Sequence, residues 1–191
     1  YDDATNARLV ELMGDIDPTV RRNACESLVA VGYQPPVQKL LTLLVDPSRF
    51  VAWSARRALE QVPQDQWKDA ILATDKPRLF VEGATALLVL DPDRETAEQL
   101  ISGVGRLMRG FVNDADFIGL LRVAQLSLLR GELTGDDVPE FRRQLAEEYP
   151  SLEPRMNREL VRLLAYMQEP DVLRRMTDEL ARADNPLVEK L

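Results

Sequence analysis

The chain has 191 residues, 45% hydrophobic and 29% charged, which is the composition of a folded domain and not of a disordered one. Its formal charge of −8 and pI of about 4.7 repel phosphate backbones, so nucleic acid is disfavoured as a partner. Histidine is absent, which removes imidazole metal sites, histidine-assisted nucleophiles and histidine proton shuttles, and a single Cys25 excludes an internal disulfide.

Residues 1 to 15 carry Asp2, Asp3 and Glu11 and no apolar core, so they do not read as a signal peptide; a start at Tyr1 without methionine reads as an excised piece. No apolar run reaches the ~20 residues of a membrane span. Apolar periodicity predicts a first helix over Ala7 to Gly14 and a second over Pro18 to Val31, with proline in the first turn and Gly32 past the end, as helix termini prefer. The next pair is Val37 to Val45, with its stripe of Val37, Leu40, Leu41 and Leu44, and Pro47 to Val62. Asp65 to Ala73 and Pro77 to Leu90 make the third. Beyond Asp91-Pro92-Asp93 the segments lengthen. Arg94 to Phe111 is followed by a turn at residues 113–116 and by Phe117 to Arg130. Val138 to Glu148 pairs with Pro154 to Gln168, and Pro170 opens a helix carrying Val172, Leu173, Met176 and Leu180. Asp184-Asn185-Pro186 reads as the turn into a sixth pair that the chain begins and does not finish. Strand-like alternation is missing throughout, so no sheet is expected.

Three of these helices enter from the same signature about thirty residues apart, which is how a solenoid announces itself. Asp15 to Pro18 leads into Val20, Ala24 and Leu28; Asp46-Pro47 into Val51, Ala55 and Leu59; Asp75 to Pro77 into Phe80, Ala84 and Leu88. The first repeat resembles the HEAT family, with Asp15, Asp17, Pro18, Val20, Arg21, Ala24, Leu28 and Gly32 at matching positions. That resemblance implies an all-α fold, an α-α superhelix of about five helix pairs with a sixth begun. One domain spans 1–191, clear in its repeats over 7–90 and irregular over 92–191. It also implies second helices lining a concave surface that binds proteins. Ala52 and Val81 stand where the first repeat has Arg21, so an arginine-aspartate ladder is expected to be broken. Separately, Asn157 to Pro170 resembles helical-repeat stretches of large exported bacterial proteins that carry a c-type haem module, which implies an exported or periplasmic setting; no Cys-x-x-Cys-His accompanies it here.

Candidate chemistry gives way to plainer readings. Gly103, Gly105 and Gly110 lack dinucleotide spacing and lie in a helical pattern. Asp91/Asp93, Asp114/Asp116 and Asp136/Asp137 lack a calcium-loop ligand series and read as helix caps. Cys25 follows the core position Ala24 and has no activating histidine. The arginine pairs at 56/57, 106/109, 142/143, 158/162 and 174/175 alternate with carboxylates and read as a solvated, salt-bridged face.

The expected function is a non-catalytic scaffold, without cofactor or metal, that binds a protein or a neighbouring domain of its parent chain. A HEAT-like enzyme, glycosylase-like or bilin lyase-like, and a passive spacer are the alternatives. Register selects the candidate surface. Ala24, Ala55, Ala84 and Ala124 face the core, and a residue two positions earlier points about 200° around the helix from them. Those residues are Arg22, Trp53, Glu82 and Arg122, with Glu26 and Arg57 a turn farther on and Arg158 and Arg162 on the later helix. Trp53 stands open between an exposed aromatic anchor and packing between second helices.

Overall fold

The computed structural model describes residues 2–90 and 92–181, so the turn and sixth pair expected from residue 184 onward lie outside the described residues, as does Asp91. The described residues form eleven α-helices and one 3-10 turn, with no strand. They divide into two compact units, residues 1–91 and 92–191.

In unit 1, α1 (Asp3–Leu12) packs on α2 (Pro18–Ala30), α3 (Val37–Leu43) on α4 (Arg49–Leu59), and α5 (Lys68–Ala73) on α6 (Pro77–Val89). Short turns join each pair, as in antiparallel helical hairpins. The second helices also pack on one another, α2 on α4 and α4 on α6, which makes a layer from successive repeats. In unit 2, α7 (Arg94–Met108) packs on α8 (Asp114–Arg130) and α9 (Pro139–Glu148) on α10 (Pro154–Tyr166). Here both layers are continuous, α7 against α9 and α8 against α10, and α11 (Val172–Ala181) lies against α10. Paired helices that stack on their neighbours are the α-α superhelix arrangement the sequence predicts.

Local chemistry sets the boundaries. Asp17 accepts from the Thr19 backbone N–H at 2.7 Å ahead of Pro18. The end of α2 is a Schellman cap: Gly32 is left-handed at φ 68°, and Tyr33 N–H donates to Leu28 O at 3.0 Å. α1 starts at Asp3 and not at Ala7, because the Asp2 carboxylate caps Thr5 N–H at 2.8 Å. α4 starts at Arg49 and not at Pro47, because the Asp46 side chain accepts from Ser48 N–H and holds Pro47 in the turn. The helix expected over Asp65 to Ala73 is split at Trp67, whose indole N–H donates to Val62 O at 3.0 Å from a buried position. α8 takes in Asp114 and Asp116, since Asn113 is its cap.

The core follows the register read from the sequence. Ala24, Ala55, Ala84 and Ala124 are all buried. Gly83 lets α5 and α6 approach: a Cβ there would overlap the buried Ile71 side chain. Gly105 marks the α7–α9 contact, with its carbonyl accepting from Gln144 Nε2 at 2.9 Å.

Candidate functional site

The second-helix layer of unit 1 carries a groove of about 490 Å³, lined by Arg22, Arg49, Phe50, Trp53, Arg56 and Glu82. The alanine register sets which side chains reach it: Ala24, Ala55 and Ala84 are buried in the core, and the residues two positions earlier point away from that core. Arg22 on α2, Trp53 on α4 and Glu82 on α6 therefore meet in one lining. Trp53 is 48% exposed and Phe50, one turn before it, 53%. Two guanidinium groups lie over the Phe50 ring, Arg49 at 4.8 Å and Arg22 at 5.7 Å from its centroid, within cation–π range.

Ion pairs fix most of the charged side chains. Arg22 Nε meets Glu26 at 2.6 Å. Arg56 meets Glu82 at 3.3 Å and Glu60 at 3.6 Å, and Arg78 meets Glu82 at 3.5 Å. Arg57 pairs with Glu60. Burial pushes the Glu60 carboxyl above its usual value, with Arg57 and then Arg56 pulling the other way. Arg49 is exposed and meets no carboxylate among the described residues.

The remaining candidates are in unit 2. Glu159 is buried on α10 and collects its polar neighbours: Gln125 Nε2 donates to it at 2.7 Å, Arg162 lies at 3.3 Å and Arg122 at 3.9 Å. Arg122, Arg158 and Arg162 are exposed. A carboxylate is the centre of this cluster, and Arg122 and Arg162 are its counter-charges.

The other chemical candidates resolve into structure. Cys25 is fully buried, and burial pushes its thiol up to about 11, against a hydrogen bond with Ser54 that opposes the shift. The Asp93 side chain caps Thr96 N–H at 2.8 Å. Asp137 accepts from the backbone and hydroxyl of Thr134, contacts that hold its carboxyl below the usual range, and also pairs with Arg94. No group of three or more metal-ligating side chains occurs among the described residues, and no described helix is long and apolar enough to cross a membrane. The Arg21 side chain forms one ladder rung: Nε and Nη2 donate to Asp46 at 2.9 and 3.0 Å, and Nη1 to the Asp15 and Ile16 carbonyls. Ala52 leaves no side chain to make the next one.

Sequence reasoning missed Phe50 and Arg49. Phe50 lies three residues before Trp53 and so shares its helix face, a spacing that was there to be read. Arg56 was read only as part of a solvated pair, because its partner Glu82 comes from the next repeat.

A family profile for HEAT repeats matches residues 1–60, the part of unit 1 that holds α1 to α4. No curated protein matches the chain. The matched residues include Arg22, Glu26, Trp53 and Arg57 and exclude the stretch from Asn157 to Pro170, whose likeness to exported bacterial proteins gains no support. HEAT repeats generally mediate protein–protein interaction, and the family is usually non-catalytic.

Proposed function

We propose that the repeats of unit 1 form a non-catalytic protein-binding scaffold whose contact surface is the groove across α2, α4 and α6. The observation that carries this reading is the pair of half-exposed aromatics, Phe50 and Trp53, held in a frame of ion-paired side chains from three successive repeats. Aromatic and arginine side chains dominate the energetics of protein interfaces, and ion pairs that hold the frame lower the entropy lost on binding. Each second helix contributes one turn to the surface, so recognition needs no enclosed pocket.

The groove is mixed in charge, since Arg22 and Arg56 are already engaged by Glu26, Glu60 and Glu82. A HEAT-like enzyme acting on nucleic acid calls for a basic trough instead. A passive spacer would carry no localised aromatic patch. In unit 2, Arg122 and Arg162 belong to a second, polar candidate surface around Glu159, and Arg158 is exposed on the same helix as Glu159, α10.

The test is cross-linking in cells from a photoreactive residue in place of Arg57, one turn from Trp53, against the same residue in place of Glu11 on α1. A predominant protein adduct from position 57 that disappears with Trp53→Ala supports the scaffold. Adducts that match those from position 11, or that ignore Trp53→Ala, count against it.

A further inference from the structure

From the chemistry of this groove we infer its occupant: a short acidic segment of a partner protein that sets one bulky apolar side chain on Phe50 and Trp53 and a carboxylate on Arg49. This deepens the scaffold reading and rests on it. Three arginines and one glutamate line the groove, and because Arg22 and Arg56 are paired, its uncompensated positive charge is Arg49, beside two half-exposed rings on a chain whose formal charge is −8. Complementary charge at that one position selects a carboxylate at short range, once the partner is in contact.

The arrangement of the arginines narrows the occupant further. Arg22 and Arg56 spend their charge on Glu26, Glu60 and Glu82, whereas Arg49 is exposed and meets no carboxylate among the described residues. Its guanidinium already lies over the Phe50 ring at 4.8 Å, so a carboxylate can reach the guanidinium edge while the stacking is kept. A nucleic acid strand presents a phosphate at every nucleotide and needs several uncommitted cations in a row. One available cation beside two half-exposed rings fits a single acid next to a single apolar side chain. The groove, at about 490 Å³, holds a few side chains and not a folded domain.

Fluorescence anisotropy tests this with a labelled peptide, Gly-Ser-Asp-Glu-Leu-Asp-Glu-Ser-Gly, and three controls. One replaces leucine by serine, one replaces every acid by its amide, and one is an oligothymidylate of equal negative charge. The acidic leucine peptide should bind, and both the serine and the amide versions should bind at least about tenfold more weakly. Arg49→Glu should weaken the acidic peptide by about tenfold or more while leaving the thermal melt unchanged, because Arg49 is exposed. Trp53→Ala should weaken it by about thirtyfold. Equal binding of the amide peptide, an Arg49-dependent oligothymidylate complex that outcompetes the peptide, or no peptide binding up to its solubility limit overturns the inference. If the peptide fails but cross-linking from position 57 still yields a Trp53-dependent protein adduct, only the occupant's chemistry is wrong. If both fail, the scaffold reading falls with it.

Discussion

Units 1 and 2 repeat one plan, helix pairs stacked on helix pairs, yet one well-buried polar link between neighbouring repeats is centred on a cation in the first and on an anion in the second. In unit 1 the link is a cation: Arg21 leaves α2, gathers two carbonyls of its own turn and reaches the buried side chain of Asp46 in the next turn. In unit 2 it is an anion: Glu159 sits on α10, and Gln125 and Arg122 reach it from α8. Helix ends differ as well. α2 closes on Gly32, whereas α8 and α10 make the same cap with Glu132 and Gln168 held at φ 51° and 52°. Shape is repeated because apolar burial at fixed register dictates it. The polar details that finish a repeat can be met by any donor and acceptor pair that reaches, and they drift.

The comparison can be broken most severely at Arg21. Arg21→Ala leaves the Asp46 carboxylate largely buried without its partner and is expected to cost about 3 kcal/mol. Hydrogen exchange should quicken in α2 and α4 and stay unchanged in α8 and α10; uniform quickening would mean that the rung supports more than its own unit. Glu159→Ala is the reciprocal change, expected to cost about 2 kcal/mol with its exchange signature in α8 and α10. A cost near zero in a chemical melt would reduce the anionic link to a surface pair.

A smaller effect has the opposite sign. Glu132→Gly and Gln168→Gly should each stabilise by about 1 kcal/mol, because glycine adopts the left-handed conformation without the steric penalty the native residues carry. Gly32→Ala should lose a similar amount. If the two glycine substitutions in unit 2 destabilise, the shared capping geometry is not what limits those helix ends.

The smallest effect concerns Glu60. Burial raises its carboxyl above the ordinary 4.5, so the folded protein holds that proton more tightly than the unfolded chain. Its contribution is favourable below 4.5 and is lost as pH rises through the raised folded value. Melts of Glu60→Gln should therefore lack a fall in stability that the native protein shows just above pH 4.5. Parallel curves for the two proteins would place the group at its ordinary value.

Much of the fold could be read because its signals are local. Asp-Pro turns, Gly32 and the alanine register are short-range, and they located the second helices of unit 1 together with the row Arg22, Trp53 and Glu82. First helices were harder to delimit. The start of α1 depends on a side-chain cap from Asp2, and the break before α5 depends on an indole that prefers the Val62 carbonyl to helical continuity. Arg56 was legible only as half of a pair, because its partner Glu82 lies twenty-six positions away, across a repeat boundary that periodicity alone does not bridge. The helix face shared by Phe50 and Trp53 was in the sequence all along, but their exposure depends on how closely α2 and α6 flank α4.

That flanking gives the groove a mechanical character. Its walls are three separate helices, each in register with its neighbour through side-chain contact and not through a shared backbone, so its width is the sum of two interhelical spacings. Bending unit 1 along its stack would change both spacings together, and a ligand touching Arg22, Trp53 and Glu82 at once would work as a splint against that bend. By reciprocity, any load that curves or straightens the stack must change how tightly the splint is held.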